Sequence, residues 1–292
     1  MSVLQMSFHL LLEQCSGKIL PRQPEAQAVM EDPAQLLAFM QSGQGEGMLG
    51  YVYLFHAMMS LPLIRSGDTV LDLACGPANQ LACLASLHPQ ADFIGLDASA
   101  GMLQLAADNL AGAGLANTRL LQGDIRNMAE LDSHSVDCVV CTMSLHHLPD
   151  TQALEQTARE IRRVLKPDGG VYLADFGRLK RQATQHFFAH DRADLQSTQF
   201  TQDFLHSMRA AFSVAELSAA LAAFVPALTC HQTALAPFMV LYRSAARSTL
   251  DQAMQQRVRQ RYWQLSPARR RDLDNLLRWF GLGGLTLPFP LG

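Results

Sequence analysis

The stretch Val70–Leu81, with the sequence VLDLACGPANQL, decides the fold. An apolar run of the strand type leads into a short loop, and a helical pattern follows the loop. A dinucleotide-binding loop in this position normally carries three glycines in the pattern GxGxxG, which let the backbone approach a pyrophosphate. Here the loop has Gly76 alone, and Asp72 lies where the strand ends. Because a carboxylate opposes a phosphate and favours a cation, the loop predicts a ligand other than a dinucleotide.

The pattern of this stretch continues along the chain as an alternation of strand-like and helix-like segments. Short apolar runs predict five strands, at residues 69–74, 92–96, 118–122, 136–142 and 170–175. Helical patterns lie between them, at residues 79–87, 100–112 and 151–165, with Ser99 and Asp150 or Thr151 as caps. This alternation predicts an α/β fold with a doubly wound, mostly parallel sheet. Two further strands, at 228–235 and 237–243, follow each other directly and are expected to pair antiparallel.

Three zones are expected from these patterns. Residues 1–66 carry apolar residues at helical spacing and predict a helical N-terminal cap, or lid. Residues 67–244 form the predicted α/β domain, with an insertion at about 177–212 after the fifth strand. Residues 245–292 return to helical patterns and predict a C-terminal helical extension.

The composition bounds the class of protein and its surroundings. The chain has 292 residues, of which 49% are hydrophobic, and a formal net charge of −3, which is typical of a globular protein and gives no general reason to expect nucleic acid. No basic residue precedes the first apolar run, so a signal peptide is not predicted, and no stretch approaches the about 18 apolar residues of a membrane span. Several of the six cysteines fall inside predicted strands or helices, which favours buried free thiols and a cytoplasmic protein.

Acidic residues also follow the second and third strands. Asp97 lies in GLDAS, about 20 residues beyond the loop, where an acidic side chain accepts hydrogen bonds from both hydroxyls of a ribose. Asp124 lies in LLQGDIRN, where it is placed to accept from an adenine amino group while Ile125 packs on the ring. A ligand with adenine, ribose and a positive group but no phosphate fits these positions, and S-adenosylmethionine is such a ligand. Each aspartate alone also fits a helix cap or a turn.

The order of these motifs, with VDCVV, HHLPD and RRVLKPDGG after them, resembles class I S-adenosylmethionine-dependent methyltransferases of the small-molecule type. The resemblance covers residues 67–176, and the chain departs from the family loop in having Ala74 and Ala78 in place of the flanking glycines. It implies a Rossmann-like sheet of seven strands with the last strand antiparallel. By the same resemblance, the cofactor-binding residues are Asp72, Ala74, Gly76, Asn79, Asp97, Ala98, Met102, Asp124, Ile125, Thr142 and Met143. For Met102, a place in a helix core is the alternative.

Catalytic residues are sought at the ends of the fourth and fifth strands. Sulfonium methyl transfer is an in-line displacement that needs alignment and sometimes a base, for which the candidates are His146, His147 and Asp175. The two histidines also suggest a metal. Adjacent side chains on an extended chain point in opposite directions, however, and a third ligand is not evident, so no metal site is predicted. A packing role for at least one histidine is the alternative.

The substrate is expected to meet the parts of the chain that are least typical of the family, which are the N-terminal helices and the insertion. Tyr51 and Tyr53 are candidates for a lid over the cofactor, with a helix core as the alternative. Residues 243–278 carry nine arginines and three aspartates. This excess positive charge fits a solvated helix face or an intramolecular partner better than a nucleic-acid site, because aromatic residues are sparse there.

The sequence favours a methyltransferase that acts on a small-molecule nucleophile. One alternative uses the same site for another displacement at the sulfonium, such as cyclisation of S-adenosylmethionine to azetidine-2-carboxylate with release of methylthioadenosine, which a closed apolar lid would favour. A second alternative is a protein that binds the cofactor without turnover. A membrane partner is not expected, and the oligomeric state, monomer or homodimer, stays open.

Overall fold

The centre of the protein, in this computed structural model, is a seven-stranded β-sheet. The structure describes residues 3–25, 49–191, 193–225 and 227–291, together with residues 32, 36, 40 and 47. Within these residues the strands are β1 Thr69–Leu73, β2 Asp92–Asp97, β3 Thr118–Gln122, β4 Val136–Thr142, β5 Leu165–Phe176, β6 Thr229–Gln232 and β7 Met239–Arg243. The helical pattern at 27–40 lies outside the described residues, apart from residues 32, 36 and 40.

The strand order, β3-β2-β1-β4-β5-β7-β6, confirms the predicted doubly wound sheet. Strands β1 to β5 are parallel, whereas β7 is antiparallel to both β5 and β6. The chain runs outward from β1 to β3 and then returns to place β4 on the other side of β1. This reversal between β1 and β4 is the switch point beside which open α/β sheets bind their ligands.

The helices cover both faces of the sheet and one of its edges. In the described part of the chain they are α1 Val3–Cys15, α2 Gly50–Ser60, α3 Asn79–Leu87, α4 Ala100–Gly112, α5 Thr151–Val164, α6 Gln182–His190, α7 Thr198–Ala210, α8 Val214–Leu221, α9 Gln252–Gln264 and α10 Pro267–Leu282. Ser99 caps α4 by accepting from Met102 N, and Asp150 caps α5 by accepting from Ala153 N. Both predicted caps are confirmed, since each satisfies a backbone N–H that has no partner within its helix.

Side chains alternate along the central strands between two cores. Val70 and Phe93 belong to the core under α2, α3, α4, α9 and α10, whereas their neighbours Leu71 and Ile94 belong to the core under α5 and α8. This alternation follows from the two-residue period of a strand, and it explains why strands covered on both faces are apolar throughout.

A third apolar cluster lies at the carboxyl edge of the sheet. It joins Phe176, at the end of β5, to Leu10 of α1, Phe188 of α6 and Leu205 of α7. The N-terminal segment and the insertion after β5 therefore contact each other at the edge where the strands end. The limits of the three zones, at residues 66 and 244, stay predictions.

Strand β5 begins earlier than the predicted residue 170. Leu165 already pairs with Val136, and a register irregularity in β4 between Val136 and Cys138 then brings Cys138 opposite Gly170. The polar letters KPDGG hid this first part of the strand, because they lack the apolar pattern from which strands are predicted.

Arginines of the C-terminal zone have partners within the chain. Arg247 Nη1 donates to Asp68 Oδ2 at 2.7 Å, with both side chains buried, and Arg257 Nε donates to Leu87 O at 2.9 Å. These contacts are of the intramolecular kind that the sequence favoured over a nucleic-acid site.

Two observations bear on the expected surroundings. The six cysteines form no disulfide, and Cys75, Cys138 and Cys141 are buried free thiols, as predicted. Across the described residues, every helix is too short or too polar to cross a bilayer.

Gly177, directly after β5, provides a test of the packing between β5 and the loop before β7. A Cβ atom at this position would lie 2.4 Å from Pro237 O, a backbone atom that cannot rotate away. We expect Gly177→Ala to lower the free energy of unfolding by about 1–3 kcal/mol, the range for overpacked sites. In the control Gly112→Ala, a Cβ meets nothing within 4 Å. Urea denaturation of both variants checks this, and equal midpoints would contradict the described packing.

Candidate active site

A cavity of ≈ 310 Å³ lies along the carboxyl edge of the sheet. Its wall brings together nearly all of the residues that the sequence predicted for the site. The predicted residues in the wall are Tyr51, Tyr53, Asp72, Ala74, Gly76, Asn79, Asp97, Ala98, Met102, Asp124, Ile125, Thr142, Met143, His146 and His147. Asp175 is not part of the wall.

The cavity has an acidic end and an aromatic end. The acidic end is formed by Asp124 after β3, Asp97 at the end of β2 and Asp72 of β1, in the order of the strands across the sheet. Beyond Thr142, the last residue of β4, the wall continues to the aromatic end, which is formed by Phe176, Phe200, Phe204 and Phe238. A bound molecule therefore meets charged groups at one end and phenylalanine rings at the other.

The loop after β1 keeps a glycine-like backbone although it has one glycine. Ala74, Gly76 and Ala78 have φ angles of 50°, 53° and 60°, in the left-handed region. The left-handed conformation costs a residue with a Cβ atom about 1–2 kcal/mol, whereas a glycine adopts it without strain. The two alanines therefore keep the backbone of the family's glycines at a cost in stability. The loop is fixed from β2, because Cys75 N donates to Leu96 O at 3.1 Å.

Asp97 joins the first two loops. Its Oδ2 accepts from Gly76 N at 2.8 Å and its Oδ1 accepts from Ser99 N at 2.9 Å. The carboxyl is buried, and this burial raises its pKa despite the two hydrogen bonds. Asp97 is thus a turn residue and a wall residue at once, and each oxygen keeps a second lone pair for a ligand.

Asp72 is a buried carboxyl without a hydrogen-bond partner for Oδ2 among the described residues. Burial, together with the charge of Asp97, raises its pKa to about 8. Both side-chain atoms of Gln80 and the Nε2 of His56 are likewise buried, and none of them has a partner in the described part of the chain. Since all three side chains line the cavity, they fit a ligand group that carries both positive charge and hydrogen-bonding atoms, as the methionine end of S-adenosylmethionine does.

Helix α2 forms part of the wall and part of the core. His56 shares its Nδ1 with the hydroxyl of Tyr172 at 2.8 Å, and burial lowers its pKa to about 3, so the imidazole is neutral. Phe55 is fully buried and stacks on Phe280 of α10, with ring centroids 5.0 Å apart. Tyr51 faces the cavity from the same helix. The lid stays a prediction, because Tyr51 also packs against the core under α2, α3, α4, α9 and α10.

Asp124 has a partner that the sequence analysis missed. Arg126 Nε lies 3.0 Å and 2.9 Å from its two carboxylate oxygens, and Nη2 donates to Oδ2 at 2.6 Å. These hydrogen bonds lower the pKa of Asp124. The letters DIR contain this pair, but the spacing alone did not show that the arginine folds back. An adenine amino group would share an oxygen of Asp124 with Arg126.

Asp175 lies at the end of β5, as predicted, but behind the wall of the cavity and not at its rim. It is 2% exposed, and its carboxylate accepts from His146 Nδ1 at 2.6 Å, from His146 N at 2.8 Å and from Phe176 N at 2.7 Å. The reason is that residues 145–147 form a 3₁₀ turn beside the end of β5, which covers the carboxylate. Asp175 orients His146, which does line the cavity.

The same turn changes the argument against a metal site, which assumed that His146 and His147 lie on an extended chain and point in opposite directions. Because Leu145–His147 is not extended, the rings of His146 and His147 lie together, with centroids 4.2 Å apart. A third group is also present, since Glu25 Oε2 accepts from His147 Nδ1 at 2.5 Å and Glu25 Oε1 accepts from Ser207 Oγ at 3.0 Å. Burial alone would raise the pKa of Glu25, but the contact with His147 outweighs burial and holds it at about 2.

Arg22 holds the N-terminal segment against the site. Its guanidinium donates to His146 O at 2.8 Å, to Pro149 O at 2.5 Å and to Ala210 O at 2.6 Å. It also lies over the ring of Phe212, 3.9 Å from the centroid. Sequence analysis missed both Arg22 and Glu25, because no local pattern connects them to residues more than a hundred positions away.

Comparisons with known proteins agree with this geometry. Residues 70–169 match a family model described as a methyltransferase domain. The demethylmenaquinone methyltransferase of Lactobacillus johnsonii is 38% identical over 110 residues, which are 37% of this chain and 43% of that protein. The enzyme of that name from Listeria monocytogenes is 33% identical over 118 residues, 40% of this chain and 48% of that protein.

A solved structure extends the likeness beyond residues 70–169. An S-adenosylmethionine-dependent methyltransferase from Aquifex aeolicus aligns with a TM-score of 0.52 at 17% identity, over 73% of this chain and 98% of that one. The likeness at this identity concerns the fold. The chain spans less than half the length of the two curated relatives it matches. Within these bounds, residues 70–169 are similar to a methyltransferase domain, and the fold of the chain is similar to that of an S-adenosylmethionine-dependent methyltransferase.

Proposed function

We propose that the protein transfers a methyl group from S-adenosylmethionine to a small, largely apolar acceptor that contains a ring. The observation that carries this proposal is the continuity of the cavity, whose acidic end passes directly into the aromatic end. A cofactor at the acidic end and an acceptor at the aromatic end would meet near Thr142, where the two parts join.

The acidic end suits the cofactor in the order of its parts. We assign the adenine to Asp124, Ile125 and Met102, the ribose to Asp97 and the cationic methionine end to Asp72. The remaining predicted residues close the cofactor site, and these are Ala74, Gly76, Asn79, Ala98, Thr142 and Met143. Asp72 supports this order, because Oδ2 of its buried carboxyl has no partner among the described residues and would gain one in a bound cation.

The residues next to the reacting centre have separate tasks. The cofactor supplies an electrophilic methyl group, and the chain aligns the acceptor and excludes water. His146 and His147 line the cavity on the side of β4, so an acceptor hydroxyl would contact their imidazoles, which remain the candidate catalytic groups. Asp175 is assigned a positioning role, because it acts through His146 and lies outside the cavity.

The aromatic end supports an acceptor with a flat ring. Phe176 lies 5.4 Å from Phe204 and 5.9 Å from Phe238, measured between ring centroids, and aromatic rings pack favourably at such distances. The relatives' name, demethylmenaquinone methyltransferase, points to the same class of acceptor. The match to the family model ends at residue 169, and the four phenylalanines of the aromatic end all follow it. Selection of the acceptor is therefore assigned to residues outside the part of the chain that matches the family.

Product analysis tests this proposal. The protein is incubated with S-adenosylmethionine alone and then with a 1,4-naphthoquinol, a phenol or a primary amine, and products are identified by mass spectrometry. We expect S-adenosylhomocysteine only with an acceptor, and most with the naphthoquinol. Methylthioadenosine from the cofactor alone, above its spontaneous background, would favour the cyclisation instead. Cofactor binding without turnover of any acceptor would support the non-catalytic alternative.

Removal of the Asp97 carboxylate tests the ribose assignment. Asp97→Ala is expected to weaken binding of S-adenosylmethionine by about 1.5–3 kcal/mol or more, because charge-assisted hydrogen bonds are lost. Isothermal titration calorimetry measures this change. Because Asp97 also holds Gly76 N and Ser99 N, Asp97→Asn serves as a second variant, with the melting temperature of both recorded. Unchanged affinity for S-adenosylmethionine in a folded Asp97→Ala variant would contradict the assignment of the ribose to Asp97.

The raised pKa of Asp72 predicts a pH dependence of stability. Between an unfolded value near 3.8 and a folded value of about 8, the native chain holds a proton that the unfolded chain has lost. The contribution of Asp72 to the free energy of unfolding is therefore largest at low pH, and it is lost as the pH rises through this range. Asp72→Asn mimics the protonated form at every pH.

We expect Asp72→Asn to have a higher free energy of unfolding than the cofactor-free native protein at both pH 5 and pH 8, and its advantage at pH 8 to exceed that at pH 5 by at least about 1.4 kcal/mol, the equivalent of one pKa unit. Urea denaturation at the two pH values checks this. An advantage of equal size at both pH values would show that the buried carboxyl is ionised throughout.

A further inference from the structure

We propose that Glu25, His146 and His147 form a binding site for a divalent transition-metal ion such as Zn²⁺. Each of the three offers a ligand atom, and these atoms all lie within 4.8 Å of one another. Two imidazoles and one carboxylate are a known set of three protein ligands for such ions. The site lies where the acidic and aromatic ends of the cavity join, because both histidines belong to the wall.

The surroundings of these side chains support the site. A histidine that binds a metal almost always donates its other ring N–H to a carboxylate or a carbonyl, which fixes the ring and makes the free nitrogen more basic. His146 has this arrangement, since its Nδ1 lies 2.6 Å from Asp175 Oδ1 and leaves Nε2 for a metal. Glu25 is oriented in a similar way by Ser207, whose hydroxyl donates to Oε1 at 3.0 Å.

Metal entry requires a small movement. Glu25 Oε2 and His147 Nδ1 are 2.5 Å apart, whereas two ligands at about 2.0–2.1 Å from a tetrahedral ion lie roughly 3.3 Å apart. The two side chains would therefore separate by somewhat less than about 1 Å. The His147 side chain is 31% exposed, and that of Glu25 is 16% exposed, so His147 has room to turn.

The kind of ion follows from the donor atoms and the charge. Imidazole nitrogens favour Zn²⁺, Co²⁺, Ni²⁺ or Fe²⁺ over Mg²⁺ and Ca²⁺, which prefer all-oxygen sites. The carboxylates of Glu25 and Asp175 offset the two positive charges of the ion. Arg22 adds positive charge nearby, but its guanidinium is directed at the carbonyls of His146 and Pro149.

The role of the ion rests on the proposed function. Three protein ligands leave a fourth position, and an acceptor hydroxyl at that position would lose its proton to solvent more readily. A lone pair of the resulting oxygen would form the bond to the methyl carbon, while the electron pair of the carbon–sulfur bond stays on sulfur. The site thus favours acceptors that present an oxygen, such as phenols and quinols.

The test measures metal binding directly and does not depend on an acceptor. The full chain, treated with a chelator and dialysed, is titrated with ZnCl₂ in a calorimeter and with CoCl₂ in an absorption spectrometer. We expect one equivalent of each ion to bind, with Co²⁺ bands of a low-coordinate site. Glu25→Gln and His147→Ala are each expected to weaken Zn²⁺ binding at least tenfold, with melting temperatures close to that of the unchanged chain.

A matched control distinguishes the site from a surface pair of histidines. His186 and His190 lie four residues apart on α6, with ring centroids 5.5 Å apart, and such spacing also binds metals. His190→Ala should leave the single equivalent intact. The proposal is overturned if no metal binds, or if binding survives in Glu25→Gln and His147→Ala but is lost in His190→Ala. Titration with S-adenosylmethionine tests the cofactor site separately. A failure of the metal site and a failure of the cofactor site can therefore be told apart.

Discussion

The parallel pairing of β1 with β2 on one side and with β4 on the other is the constraint on which the rest of the structure depends. It places the carboxyl ends of these strands at one edge and leaves a gap where the strand order reverses. The loop after β1 opens into that gap, and Asp97 holds it there through Gly76 N. The two ends of the cavity lie on opposite sides of this gap. The acidic end extends toward β3, and the aromatic end extends toward β5.

The acidic end of the cavity could be predicted from the sequence because its signals are local. Strands covered on both faces appear as apolar runs, and caps such as Ser99 and Asp150 precede the helices that they begin. Asp72, Asp97 and Asp124 each follow from their place at a strand end, so the topology alone brings them into one wall. The sheet order was accessible for a similar reason, since alternation of strands and helices permits few topologies.

The aromatic end of the cavity and the contacts of His147 could not be predicted in the same way, because they join distant parts of the chain. Glu25 reaches His147 across 122 positions, and no periodicity marks it. Asp175 was recognised but placed at the rim, because the 3₁₀ turn that covers it has no pattern of its own. The phenylalanines of α7 stand out in the sequence only as a helix face, and their place in the cavity wall follows from the packing of α7 against the end of β5.

The four carbonyls that accept from Arg22 belong to residues 146, 148, 149 and 210. The last of these partners, Ala210, follows Arg22 by 188 residues along the chain. This contact can therefore form only after the chain has been made beyond the fifth strand and through the insertion that follows it. Glu25, three residues farther along, contacts His147 across 122 positions, so both anchors of this segment close loops of more than a hundred residues, at a cost in conformational entropy.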